Sequence, residues 1–211
     1  MYDCINIVVE VKYFKIKLII NYISLIMKKS FSIIKLNQEP LVYVKKSTRP
    51  NGGKGLFAQK KIKKGTPVVI YYGKMIDSEQ IYDYYSDDAD NYLKNIFPYV
   101  RNTERENIAI NGYSALNHKN SNVFGVYVND YDKLKNTNIQ EMKRYAKTAK
   151  LCNLEIVETA DFPIYFSRRN IKKGEELFAH YSVGYWLLYL GTKAEDMEEI
   201  YKKTEWNKFY N

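Results

Sequence analysis

The chain has 211 residues, 45% hydrophobic and 27% charged, which suits one well-buried domain with additions and excludes a chain too polar to fold. Its formal net charge of +9 fits either a lysine-rich solvated surface or a polyanion partner. Cys4, Cys152, His118 and His180 are too few and too scattered for a structural zinc site, so no metal is expected.

Residues 1–40 read as an N-terminal extension. Its apolar run "IKLIINYISLIMKKS" is interrupted by Lys17 and Asn21 and is too short to span a bilayer, so no membrane role is expected. Met27 is a second candidate start, which would leave residues 1–26 outside the working protein. From Leu41 the pattern turns to strands. "LVYVKKS" alternates, "RPNGG" is a turn cluster, "GLFAQ" is a short strand, "KKIKKG" is a basic turn, and "TPVVIYYG" is a buried strand ending at Gly73.

An acidic insert over 77–112 begins with "DSEQIYDYYSDDAD", which holds Asp77, Glu79, Asp83, Asp87, Asp88 and Asp90 and no Lys or Arg. Two readings stay open for that run, a solvated helix or a surface that attracts a basic peptide. A basic insert over 129–152 contains a polar helix with loops at 133–150. Strands resume at "LEIVET" and "PIYFSRR", and a "KKG" turn leads into a strand "GEELFAHY" that ends at Tyr181. Residues 187–211 read as a C-terminal helical segment, with Thr192 and Glu195 at capping-box spacing.

Three stretches could carry chemistry. In "GGKGLFA", Gly53 and Gly55 flank Lys54, which either makes a hairpin turn or lets backbone approach a ligand. No "GK[ST]" or G-x-G-x-x-G spacing follows, so neither a phosphate loop nor a dinucleotide fingerprint is present. In "SALNHKNSN", Asn117 and His118 give either an Asx-type turn or an amide that can read the edge of an adenine. In "GEELFAHYSVGYW", Tyr181, Tyr185 and Trp186 form either an aromatic corner of the core or a hydroxyl at the rim of an aromatic pocket.

In order and company, these motifs resemble the series of the SET-domain lysine methyltransferases. "GGKGLFA" is similar to the family's first motif and "VVIYYGK" to its E-Y-x-G-E strand. "ALNHKNSN" is similar to N-H-S-x-x-P-N, and "RRNIKKGEELFAHY" to the closing R-D-I-x-x-G-E-E-L-T-x-D-Y. "YSVGYW" is also similar to the short viral SET proteins of large DNA viruses. The resemblance covers 41–186. It implies a mainly β fold with short helices, of the β-clip type, whose C-terminal segment threads under an earlier loop, followed by a C-terminal helix.

The resemblance further implies methyl transfer from S-adenosylmethionine to a lysine amine of a protein, such as a histone tail. Tyr181 would be catalytic. Gly53, Lys54, Gly55, Asn117, His118, Tyr181 and Trp186 would hold the cofactor, and Tyr71 and Tyr72 would wall the lysine channel. The partner would be a basic, lysine-containing segment, with homodimerisation and direct nucleic-acid contact left open. The setting would be intracellular: host nucleus, cytoplasm or virion for a viral protein. Ile70, Lys74, Phe178 and His180 depart from the family pattern. They motivate the alternative of a SET-like peptide-binding module without catalysis, and net charge motivates a basic nucleic-acid-binding protein.

Overall fold

Strand β1 (Val42–Lys46) and strand β2 (Lys54–Ala58) form an antiparallel hairpin, with Val44 opposite Leu56 and Lys46 opposite Lys54. The intervening turn runs through Asn51 and Gly53, both at positive φ. Strand β3 (Pro67–Ile70) pairs with β8 (Ile164–Ser167), which pairs in turn with β7 (Leu154–Val157), giving the order β3-β8-β7. A second three-stranded sheet has the order β4-β6-β5, from β4 (Lys74–Asp77), β5 (Val100–Asn102) and β6 (Ile108–Asn111). These strand pairs are each antiparallel.

The computed structural model describes residues 40–77, 97–105, 107–159, 161–192, 196, 197, 199 and 200. All lie in the second of two units into which the chain divides, Pro40–Asn211. The N-terminal extension, the acidic run beyond Asp77 and residues 201–211 fall outside the described residues, as do the readings placed on them.

The apolar runs find one core. Leu56, Val69, Ile110, Ile171 and Leu177 are each 0% exposed and pack together with Tyr71, Val128 and Tyr165. A second cluster forms between helix α1 (Ile139–Ala146) and helix α2 (Val183–Tyr189), where Met142 and Tyr145 meet Val183, Trp186 and Leu187. Asn138 caps α1 by accepting from the Glu141 N–H, and Arg144 bonds both Glu141 and Asp132.

Three expectations need correction. The span expected as an acidic insert to residue 112 contains β5 and β6, because "VRN" and "IAIN" complete a sheet with β4. "YSVGYW" opens helix α2 at Val183, upstream of the segment expected to be helical from 187. "GEELFAHY" is no strand: it makes only isolated bridges, Glu176 to Phe57 and Phe178 to Asn129. The reason is that its backbone is shared among separate partners. The Leu177 N–H donates to the Leu56 carbonyl and the Ala179 N–H to the Asn129 carbonyl. The Phe178 N–H donates to the side-chain amide oxygen of Asn153, whose amide nitrogen donates to the Glu176 carbonyl.

Candidate functional site

The Gly-rich turn is fastened by a buried acid. Glu176, 5% exposed, accepts from Ser47 Oγ at 2.6 Å, Thr48 N–H at 2.7 Å and Thr48 Oγ1 at 2.5 Å. A buried carboxylate must be matched this fully to be tolerated. A Cβ on Gly55 would lie 2.2 Å from Glu176 Oε1, so Gly55 is small in order to admit that carboxylate. At Gly53, with φ of +59°, nothing lies within 4 Å of where a Cβ would be. Gly53 and Lys54 border a cleft of about 480 Å³ that is also lined by Lys45, Lys46, Phe124 and Tyr127.

Asn129 ties the turn to the closing segment. Its Nδ2 donates to the carbonyls of Gly52 and Lys54, both at 3.1 Å. Its own backbone carbonyl holds Ala179, at the parallel bridge with Phe178. Residues 128–130 then grip Tyr181 at both ends. The Tyr181 hydroxyl donates to the Val128 carbonyl at 2.5 Å, and its N–H donates to Asp130 Oδ2 at 3.1 Å. Asp130 Oδ2 also accepts from Trp186 Nε1 at 2.9 Å and from the Tyr145 hydroxyl. Burial raises the Asp130 pKa, against the lowering effect of these hydrogen bonds.

Around Tyr181 the surroundings are aromatic. Tyr185 stands edge-on at 4.9 Å and Trp186 stacks at 6.2 Å. Burial raises the Tyr181 pKa well above its ordinary value, although the Arg101 guanidinium opposes that, so the hydroxyl stays protonated and acts as a donor rather than a base. Burial likewise pushes Tyr185 up to about 12. Arg101, on β5, lies 4.2 Å from the Tyr181 ring centroid.

The expected site residues fall in three places. Gly53, Lys54, Gly55 and Tyr181 are joined through Asn129, and Tyr71 is buried near Tyr181 with its hydroxyl donating to the Tyr99 carbonyl at 2.8 Å. Asn117 and His118 are exposed at the end of a 3-10 helix over Gly112–Asn117. The His118 ring meets Tyr72 edge-on at 5.6 Å, and Tyr72 is 37% exposed. Trp186 is buried in the α1–α2 cluster rather than along the cleft. His180 packs on Tyr145 at 4.5 Å, and burial lowers its pKa, which favours the neutral ring. Asn129, Asp130, Asn153, Glu176 and Arg101 were not singled out from sequence. Of these, only Glu176 lies inside a stretch that the sequence marked, "GEELFAHY".

Among known proteins, residues 53–182 match a family model described as SET domain. No curated protein matches. Among solved structures, the chain is similar to the Chaetomium thermophilum polycomb repressive complex 2, at 22% identity and a TM-score of 0.44 over 69% of this chain. It is similar to ctPRC2 in complex with H3K27me3 and H3K27M, at 21% identity and a TM-score of 0.48 over 69% of this chain. It is also similar to ctPRC2 in an autoinhibited conformation bound to S-adenosylmethionine, at 19% identity and a TM-score of 0.48 over 78% of this chain. The chain spans 15% to 17% of the length of those chains.

Proposed function

Because the chain belongs to the SET domain family, we propose that it transfers a methyl group from S-adenosylmethionine to the side-chain amine of a lysine in a basic, histone-like protein. The observation that carries this reading is the double grip of residues 128–130 on Tyr181, made by the segment that also holds the Gly-rich turn.

The residues present fit the cofactor. The cleft of about 480 Å³ lies within the range of roughly 300–1,000 Å³ common for small-molecule sites. Phe124 and Tyr127 offer ring faces for a base, Lys45, Lys46 and Lys54 offer charge for a carboxylate, and Gly53 leaves backbone open to close approach. When bound there, the cofactor supplies an electrophilic methyl on a sulfonium, which an amine lone pair takes as the carbon–sulfur bond breaks with its electrons staying on sulfur.

The protein's share is to present a neutral, aligned amine. Lysine's ordinary pKa is about 10.4, and burial beside the cationic sulfonium of a bound cofactor would disfavour the charged form. The Tyr181 hydroxyl, fixed on the Val128 carbonyl, offers its remaining lone pairs to the amine and limits its direction of approach. With its pKa raised, it takes no proton, and the proton leaves with water. The acidic residues at 77–90 supply the charge that draws a basic substrate. In this reading the catalytic domain is 41–186, and the chain is a relative of the short viral SET proteins.

Titration calorimetry with S-adenosylmethionine, followed by label transfer to core histones, tests the reading. Binding followed by transfer is expected. Binding with no transfer to histones or to a whole-cell protein extract would favour a non-catalytic module, which the departures at Ile70, Lys74 and His180 motivate. Absence of binding would end both.

A further inference from the structure

Arg101 has an unusual setting for an arginine. Its guanidinium carbon lies 4.2 Å from the ring centroid of Tyr181, 5.0 Å from that of Tyr185 and 5.4 Å from that of Tyr71. All three fall within the distance of about 6 Å at which a ring face attracts a cation. A fourth ring, Tyr165, stands edge-on to Tyr71 at 6.4 Å, and its hydroxyl faces the guanidinium. Tyr71 and Tyr165 are only 2% and 1% exposed, so this wall of the cage is dry, which strengthens each cation–ring contact.

Besides the ring faces, the Tyr165 and Tyr185 hydroxyls accept hydrogen bonds from the guanidinium. Its hydrogen bonds to backbone reach the Val100 carbonyl at 2.7 Å and the Pro98 carbonyl at 3.5 Å, one and three residues before it in the chain. Among the described residues no carboxylate pairs with it. Nor is Arg101 locked in place by its strand. β5 is three residues long and lies at the edge of its sheet, so rotation about the side-chain bonds can withdraw the head without breaking a strand ladder.

We propose that Tyr71, Tyr165, Tyr181 and Tyr185 form a site for an alkylammonium head, with the Arg101 guanidinium as its resident occupant, so that a substrate amine enters only as Arg101 leaves. The inference rests on the proposed function only in taking this cage as the end of the amine's path. Two of its walls, Tyr71 and Tyr181, are the residues the resemblance assigned to that path. Two cations in one water-poor cage repel each other, so Arg101 and an ammonium exclude one another. Arg101 is then the residue that sets the threshold for substrate entry.

The test uses the full chain, without cofactor, titrated with n-butylammonium as a surrogate for the lysine side chain. Arg101→Ala is expected to bind it at least about tenfold more tightly than the parent, and Arg101→Lys, which keeps a cation on a flexible stem, no more tightly than the parent. An alanine variant that binds no better overturns the proposal. A second measurement needs no folded variant. In the unaltered chain labelled with ¹⁵N-arginine, the Arg101 Nε–H resonance is expected to be ring-current shifted and to move on addition of n-butylammonium. A resonance at the ordinary position, or one that does not move, overturns the proposal as well. Neither measurement involves methyl transfer, so a chain inactive as a methyltransferase can still pass, and an active one can still fail.

Discussion

Asn129 is the residue on which the site turns, and it differs sharply from Asn117. Its two bonds to the Gly52 and Lys54 carbonyls fix the turn that borders the cleft, whereas Asn117 is exposed. Removing hydrogen bonds of this kind costs about 1 kcal/mol each. Asn129→Ala is therefore expected to weaken S-adenosylmethionine binding by about tenfold or more in calorimetry, while Asn117→Ala leaves it unchanged. Equal effects would place the tether elsewhere.

Asp130 supplies a second test at this scale. Its folded-state pKa is raised above the ordinary 3.8, burial being the largest cause. The stability tied to its protonated form is complete below that ordinary value and is lost as pH rises through the folded value. Asp130→Asn cannot ionise, so in urea unfolding its stability relative to the parent should improve as pH rises from about 4 to about 7. A difference that stays flat across that range, or moves the other way, would contradict the buried-carboxylate account.

Among the elements, α1 and α2 support the closing segment. Met142, 0% exposed, packs in the cluster with Val183, Trp186 and Leu187, and Trp186 reaches Asp130. Truncating a buried methionine costs roughly 2–5 kcal/mol. Met142→Ala should lower Tm and reduce transfer together, since it loosens Asp130's partners without touching the cleft. Intact transfer at a lowered Tm would uncouple the helices from the site.

The strands of this fold were readable because local alternation and turn chemistry specify them: "LVYVKKS", "PVVIY" and "PIYFS" each became strands where expected. "GEELFAHY" was misread because an apolar run signals burial but not what pairs with its backbone. The pair Asn129–Asp130 was missed for a related reason. Its partners are Gly52, Lys54 and Tyr181, tens of residues away, and bonds over such distances leave no local pattern. "NHKNSN" offered the nearer likeness to a family motif, and the reading rested on Asn117 and His118. Arg101 was equally silent, since nothing in "YVRNT" marks a residue that meets three tyrosines distant in sequence.

At the scale of the molecule, the closing segment joins the hairpin, the central sheet and the helical cluster. The Leu177 N–H bonds to Leu56, the Ala179 N–H to Asn129, and the Leu154 N–H to the Phe178 carbonyl. These three amides are expected in the slowest hydrogen-exchange class, opening only with global unfolding. Exchange faster than that of the β3–β8 ladder would show that the segment opens independently.

The central role falls to Tyr181, whose hydroxyl is held by the Val128 carbonyl and whose ring lies 4.2 Å from the Arg101 guanidinium. The most direct measurement compares label transfer from S-adenosylmethionine to lysine in core histones by the parent chain and by Tyr181→Phe, with cofactor affinity followed in parallel. The account predicts transfer by the parent and a loss on the order of a hundredfold in the variant, with cofactor binding retained. Transfer undiminished in Tyr181→Phe would contradict it.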